Sequence, residues 1–131
     1  MTSLIDSDRV VDYLKGRPDA VDLLSRLEPD GLAISLITYG EIYEGISAGR
    51  DPARHEQSFL AFLALVSVLP LNRAIMRRFA TLRADLRRSG QLIGDFDLLI
   101  AATALHHGVP LITRNRGHFQ RIPHLQLYPP D

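Results

Sequence analysis

Acidic and amide side chains occur at four separated places in this sequence, and together they could bind a divalent metal ion. Asp95 and Asp97 stand in "IGDFDLLIAATAL", at the start of an apolar run that is nearly free of charge. Asp6 follows the apolar segment "SLI", Glu41 lies shortly after "LAISLI", and Asn115 lies just after "LIT". Carboxylates that converge without lysine or arginine repel one another unless a cation binds between them. Ligands that are all oxygen favour Mg²⁺ or Mn²⁺ over zinc.

Most of these side chains also have a purely structural explanation. Thr38 and Glu41 have the T-x-x-E spacing of a capping box, in which the glutamate accepts from the backbone amide of the threonine. Asp95 has the type and position of a helix N-cap, and Asp97 would suit the helix dipole in the first turn. Asp6 could cap the first helix. The metal interpretation therefore depends on the fold bringing these groups together.

The hydrophobic pattern alternates between strands and helices along the chain. Short apolar runs predict strands at 3–5, 32–37, 66–71, 110–113 and 125–128. Apolar residues at helical spacing predict helices at 6–16, 20–27, 38–49, 52–66, 73–90 and 95–107. This alternation favours parallel βαβ units and an α/β fold, a three-layer α/β/α sandwich with a central parallel sheet. Because no repeat or long linker divides the chain, we expect residues 1–131 to form one domain.

The predicted sheet would bring the polar groups to one edge. Functional groups in such sheets gather beyond the carboxyl ends of the strands. Asp6 directly follows the first strand, Glu41 lies in the first turn of the helix after the second, and Asn115 follows the fourth. Asp95 and Asp97 open the helix that leads into that fourth strand. We therefore expect all five groups to project towards the same edge.

Composition excludes several classes of protein. The chain has 131 residues, no cysteine and a formal net charge of zero. Disulfides, zinc fingers and thiol nucleophiles are thereby excluded, and general binding of polyanions through net charge is not expected. No apolar run approaches the roughly 20 residues that cross a bilayer, and no signal peptide is visible, so we expect a cytoplasmic protein with no membrane contact. Arginines cluster between Arg73 and Arg88, as a solvated face or a phosphate-facing one.

Four segments in order resemble the PIN-domain ribonucleases, specifically the VapC toxins of toxin–antitoxin pairs. They are "LIDSDRVVDYL", "AISLITYGEI", "IGDFDLLIAATAL" and "LITRNRGHFQRIPHL", and the resemblance covers essentially the whole chain. Arg9 departs from the pattern, because the family usually has an apolar residue there. The resemblance implies a type II toxin, an endoribonuclease that hydrolyses RNA phosphodiester bonds with Mg²⁺ or, as an alternative, Mn²⁺. It also implies a VapB-type antitoxin partner and a homodimer.

The resemblance also assigns roles to individual residues. Asp6, Glu41 and Asp97 match the family's catalytic acids, and Asp6 and Asp97 would hold the metal ion. Asp95 matches an additional acid found in part of the family, and Asn115 falls where the family has Asp or Asn. These last two would position the hydrated ion.

Other proteins with acidic pockets fit this sequence less well. "LIDSD" also matches the D-x-D start of haloacid-dehalogenase-type phosphatases, and the acidic pocket would fit a receiver domain. Both usually need a lysine late in the chain, whereas the only lysine, Lys15, lies in the first predicted helix. The remaining alternative is a catalytically silent PIN-fold binding module whose acids only cap helices. A metal titration separates the two, because only the nuclease should bind Mg²⁺ or Mn²⁺ through Asp6 and Asp97.

Overall fold

A computed structural model describes residues 2–129 and contains one parallel sheet. Its strands are β1 (Ser3–Ile5), β2 (Leu32–Ser35), β3 (Ser67–Leu69), β4 (Leu111–Ile112) and β5 (Leu127–Tyr128). The five strands lie in the order β3-β2-β1-β4-β5. The first strand in sequence is therefore the central one, with β2 and β4 as its parallel neighbours. The segments that follow these three strands consequently meet at the same edge of the sheet.

Helices connect the strands and cover both faces of the sheet. They are α1 (Ser7–Leu14), α2 (Pro18–Leu27), α3 (Leu36–Ala48), α4 (Pro52–Leu63), α5 (Arg73–Arg88), α6 (Asp95–His107) and the short α7 (Arg116–Phe119). A 3₁₀ turn, Glu28–Asp30, precedes β2. No helix within residues 2–129 has the length and apolar character needed to span a bilayer.

Alternate residues of the strands point into two separate apolar cores. Leu4, Ala33 and Leu111 face the first core, which is closed by α5 and α6. Ile5 and Ile112 face the second, which contains residues of α1 to α4. Because successive side chains of a strand point to opposite faces, short strands buried on both sides need apolar residues at every position. The predicted three-layer α/β/α sandwich is confirmed.

The predicted second strand is wrong at its carboxyl end. The apolar run "LAISLI" was expected to stay extended to residue 37, but β2 ends at Ser35 and α3 begins at Leu36. Ser35 is the N-cap, and its hydroxyl accepts a hydrogen bond from the backbone amide of Ile37 at 3.0 Å. A buried serine inside an apolar run thus stops the strand and starts the helix. This shift moves Thr38 from the predicted start of the helix to its third position and places Glu41 in the second turn of α3.

Other boundaries follow from the chemistry of the residues at each end. Asn72 caps α5, accepting from the backbone amide of Ile75 at 2.8 Å. Gly108 ends α6 in the left-handed conformation, with φ of 64°. Helix α4 stops at Leu63 rather than at residue 66, and β3, which is followed by Pro70, is an edge strand of the sheet.

Candidate active site

Asp6 lies at the carboxyl end of the central strand, and both of its oxygens are held by the protein. The side chain is only 5% exposed. Its Oδ1 accepts from the backbone amide of Ser7 at 2.8 Å, so Asp6 is also the N-cap of α1. Its Oδ2 accepts from the hydroxyl of Thr113, just beyond β4, at 2.7 Å. The capping role and a site role therefore coexist in one residue, since each carboxylate oxygen keeps a second lone pair.

The turn after β4 is tied to Asp6 and reaches Asp97. The backbone amide of Asn115 donates to Thr113 Oγ1 at 2.9 Å. The side-chain nitrogen of Asn115 lies 2.9 Å from Nδ1 of His118. That same ring nitrogen lies 3.6 Å from Oδ2 of Asp97, in the first turn of α6. The loop, the first helix and α6 thus converge on one small region.

Glu41 joins this region through Ser7. The Ser7 hydroxyl lies 2.7 Å from Glu41 Oε1 and 2.9 Å from Thr38 Oγ1. A hydroxyl carries one hydrogen and an ionised carboxylate only accepts, so Ser7 donates to Glu41 and accepts from Thr38. The capping box proposed for Thr38 and Glu41 is wrong, because Ser35 caps the helix and Thr38 is buried beside Ser7. Glu41 is therefore held by the residue that directly follows Asp6.

The acidic groups oppose one another's ionisation. Burial raises the pKa of Asp6 from 3.8 to about 7, and the nearby charges of Asp8 and Asp97 add to that rise. Hydrogen bonds from Thr113 and Ser7 act in the opposite direction. Burial also raises the pKa of Asp8, whose Oδ2 accepts from the backbone amide of Arg114 at 3.1 Å. Within residues 2–129 no cationic side chain forms an ion pair with Asp6.

Asp95 has a different environment from the other predicted site residues. Its Oδ1 lies 2.8 Å from Nε of Arg83 on α5, and more than half of its side chain is exposed. The expectation that no arginine stands among the acids is therefore wrong for Asp95. Its assignment as a helix N-cap is also wrong, because Gly94 occupies that position. The structure places Asp95 at the outer edge of the site, two residues before Asp97.

A second carboxylate, Asp12, holds arginines at the rim of this region. Asp12 is 4% exposed, and its Oδ2 lies 2.7 Å from Nε of Arg114. Arg17 approaches its Oδ1 at 3.3 Å, and Arg9 lies 3.5 Å from Oδ2. Arg9 also pairs with Asp19 at 3.1 Å, so the unusual arginine in the first helix joins α1 to α2. These pairs orient Arg114 beside the acidic site.

Three connecting hydroxyl groups were not identified as bridges from the sequence. Ser7 and Thr113 lie inside two of the recognised segments without an assigned role, and Thr38 was interpreted only as part of a helix cap. A hydroxyl is recognisable as a bridge only when the groups on both sides of it are known. Their positions one residue after Asp6, three before Glu41 and two before Asn115 are the signal that could have identified them.

Comparisons with known proteins identify the family and the fold. The PIN domain family matches residues 3–125. Ribonuclease VapC1 of Methanocaldococcus jannaschii is 36% identical over 91% of this chain and 79% of that protein. A solved structure of VapBC2 from Rickettsia felis, bound to a DNA fragment from its promoter, is similar with a TM-score of 0.92 at 27% identity, covering 97% of both chains. A toxin–antitoxin complex from Klebsiella pneumoniae is similar with a TM-score of 0.77 at 30% identity, covering 94% of both chains.

Proposed function

Because the chain belongs to the PIN-domain family and, within it, to the VapC ribonucleases, we propose that it is a toxin that hydrolyses RNA with a divalent metal ion. The observation that carries this proposal is the environment of Asp6. Its carboxylate is buried, faces two other acids and has no cationic partner within residues 2–129. A site that only capped a helix would gain nothing from keeping these acids together.

The residues present fit Mg²⁺ or Mn²⁺. No group of three or more acidic or histidine side chains among residues 2–129 is arranged as a complete metal cage. Mg²⁺ does not require one, because it usually keeps several waters and binds through one or two carboxylates together with substrate phosphate. Asp6 and Asp97 would supply those carboxylates. Asn115, which lies beside His118 next to Asp97, and the outer Asp95 would position the hydrated ion.

The proposed chemistry is attack of water on an RNA phosphorus atom. When bound, the ion supplies Lewis-acid polarisation of the phosphate and lowers the pKa of a water molecule. Glu41 accepts a proton from the attacking water, and Ser7 keeps its carboxylate oriented. A new P–O bond forms to the water oxygen, while the P–O bond to the neighbouring nucleotide breaks. Arg114, held by Asp12, binds a backbone phosphate beside the site.

The direct test combines metal binding with RNA cleavage. The wild-type chain should bind Mg²⁺ or Mn²⁺ in a calorimetric titration and cleave RNA, and EDTA should stop cleavage. Asp97→Asn keeps the size of the side chain but removes one charge of the metal site, so both metal binding and cleavage should be lost. The exposed Asp22 on α2 gives the matched control, since Asp22→Asn changes the net charge equally. Full activity in Asp97→Asn would contradict the assignment of Asp97 to the metal site, whereas a wild type that neither binds metal nor cleaves RNA would favour the silent binding module.

A groove beside the site fits the antitoxin expected from this family. It has a volume of about 560 Å³ and is bordered by α1, α3 and α4. Val11, Leu14, Ile42 and Ile46 give it an apolar floor, and Glu41 stands at its border. Since Glu41 contacts Ser7, the groove leads to the acidic site. We therefore propose that a helix of a VapB-type antitoxin lies in the groove and that a basic side chain beyond it enters the site.

Co-expression with the adjacent gene tests the antitoxin proposal. The purified complex should lack ribonuclease activity, and Val11→Arg should weaken the complex without reducing cleavage by the free toxin. Val68 is the matched control, because both valines are 37% exposed but Val68 lies on the edge strand β3. Complex and free chain cleaving RNA at equal rates would contradict the proposal.

We also propose a homodimer whose surface lies in the segment around α4. Phe59 and Phe62 lie in the core and are not available for an interface. Leu60 and Leu65 in the same segment are 52% and 44% exposed. We expect light scattering to show a dimer at micromolar concentration and Leu60→Arg to shift it towards monomer. A wild-type monomer under those conditions would contradict the dimer.

A further inference from the structure

Four arginines share the outer face of α5. The inner face is fixed by apolar side chains that are buried or packed against the first core: Ile75, Phe79, Leu82 and Leu86. At 100° per residue, the positions opposite these belong to Arg73, Arg77, Arg87 and Arg88. All four are exposed, and only Ala80, Thr81 and Ala84 stand between them on that face. We call these four residues the arginine face.

Most of the arginine face has no counter-charge among the residues that the structure describes, 2–129. Arg88 pairs with Asp85 on its own helix. Arg73, Arg77 and Arg87 form no ion pair with any residue between 2 and 129. The chain has zero formal net charge, so this concentration of positive charge is local and not a property of the whole molecule. Three guanidinium groups are therefore available to an anion.

Arg87 and Arg88 lie in the last turn of α5, where the helix dipole favours cations, but Arg73 and Arg77 do not serve the stability of the helix. Arg73 and Arg77 lie in the first two turns of α5, where the helix dipole disfavours cations, and the first turn contains no acidic residue. They are also four residues apart, a spacing at which like charges repel on a helix surface. Lysine is rare throughout the chain, with Lys15 the only one, so the choice of arginine here is general, but this does not explain the placement of these arginines on one face.

The arginine face leads away from the candidate active site. Arg83, one turn before Arg87, pairs with Asp95 at 2.8 Å, and Asp95 stands two residues before Asp97. From Arg88 back to Arg73 the helix extends about 22 Å, at about 1.5 Å per residue. The alanines and the threonine between the arginines leave room for a strand to approach the helix backbone.

We propose that the arginine face binds the phosphates of the RNA strand whose scissile bond lies in the acidic site. The inference rests on the proposed ribonuclease function and adds to it a binding surface remote from the chemistry. Guanidinium groups donate to phosphate oxygens in a planar geometry that suits them, and such contacts carry no base specificity. The surface therefore contributes affinity for long RNA and leaves the choice of cleavage site to residues near Asp97.

The test measures RNA binding without cleavage. Fluorescence anisotropy is recorded in EDTA with a labelled 30-nucleotide RNA, using Asp97→Asn as the background so that no RNA is cut. Arg73→Gln combined with Arg77→Gln should weaken RNA binding about tenfold at 200 mM salt and about seventyfold at 50 mM salt. The effect grows at low salt because the variant loses two phosphate contacts and the counterion release that goes with them. The control combines Arg26→Gln on α2 with Arg78→Gln, which changes the net charge equally. Arg78 faces the cleft beside Leu105 and Leu125, not the arginine face.

Cleavage by the chain with Asp97 restored separates this proposal from the proposed function. The double variant at Arg73 and Arg77 should raise KM for the long RNA and leave cleavage of a four-nucleotide RNA unchanged, because the short RNA cannot reach the arginine face. Thermal unfolding should show equal or higher stability for this variant.

If the wild type cleaves RNA but the double variant and the control bind RNA with equal affinity, the proposed role of the arginine face is overturned and the proposed ribonuclease function stands. Salt-dependent RNA binding through this face without any cleavage would support it while removing the nuclease assignment. Loss of antitoxin binding with unchanged RNA affinity would overturn it in favour of an acidic protein partner.

Discussion

Asp6→Asn should stabilise the metal-free protein above neutral pH, although it removes a central residue of the proposed active site. The introduced amide has the same shape as the carboxylate. Its oxygen can accept from the backbone amide of Ser7, and its nitrogen can donate to Thr113 Oγ1. Thr113 can then turn its hydroxyl hydrogen towards Asp8 Oδ2, which lies 3.5 Å away. The substitution therefore removes the buried charge and keeps the hydrogen-bonded frame.

The size of the effect follows from the pKa of Asp6. The pKa of Asp6 is about 7 in the folded protein, against 3.8 for an ordinary aspartate. At about 1.4 kcal/mol for each pH unit between these two values, ionised Asp6 costs the folded protein about 4 kcal/mol of stability. Because the folded pKa is raised, the stability associated with protonated Asp6 is fully present below pH 3.8 and is lost as pH rises through about 7. The second N–H of the amide needs a partner, which reduces the expected gain at pH 8 to about 2–4 kcal/mol.

Thermal melts in EDTA at pH 4 and pH 8 test this reasoning. Asp6→Asn should melt about 10 °C above wild type at pH 8, from about 3–4 °C per kcal/mol for a domain of this size. At pH 4 the two should melt within a few degrees of one another, since Asp6 is then mostly protonated. Mg²⁺ at pH 8 should raise the Tm of wild type only. Equal Tm values at pH 8, or a difference that does not change with pH, would refute the account of Asp6 as a strained buried carboxylate.

Three further substitutions probe the surroundings of Asp6. Asp95→Asn should reduce RNA cleavage less than Asp97→Asn does. The free energy of unfolding should change by about 0.5 kcal/mol or less, because the pair of Asp95 with Arg83 is exposed. Equal losses of cleavage in the two variants would instead place Asp95 at the metal. Thr113→Val removes a hydrogen bond that lowers the pKa of Asp6, so Asp6 should lose its proton only at higher pH. In calorimetric titrations the pH midpoint of Mg²⁺ binding should therefore move upward, and an unchanged midpoint would contradict this. Asp12→Asn breaks a buried cluster with three arginines and should lower the free energy of unfolding by about 3 kcal/mol in denaturant melts, against about 0.5 kcal/mol or less for Asp22→Asn.

The sequence predicted the layers of the fold well because its signals there were local and strong. Apolar runs of strand length alternate with helical spacing, and chirality and connection rules leave few arrangements for such a pattern. The errors lie at element ends, as at Ser35, where one hydroxyl decides between strand and helix. Apolar content alone could not show that, since Leu36 and Ile37 suit either structure. The short α7 was also not expected, because its four residues contain too little periodicity.

The candidate site was predictable at the level of which segments meet, but not at the level of which atoms touch. Topology alone places Asp6, Glu41 and Asn115 at one edge of the sheet. The link from Ser7 to Glu41 depends on the angle at which α3 leaves the sheet, and sequence spacing does not contain that angle. The pair of Arg83 with Asp95 likewise depends on how α5 packs on α6. The roles of these residues in metal binding and catalysis stay predictions until the variants are measured.

The central position of β1 has a consequence for when the activity can arise during synthesis. The hydrogen bond between Thr113 and Asp6 joins residues 107 apart, and the strand pair that sets it up needs β4. A nascent chain on the ribosome carries Asp6, Ser7 and Glu41 early, but Asp97 and Thr113, which complete the surroundings of Asp6, are made much later. Until β4 has emerged, Asp6 remains a solvated carboxylate on an edge strand. The ribosome that makes this proposed ribonuclease is thus protected from it during most of the time needed to translate it.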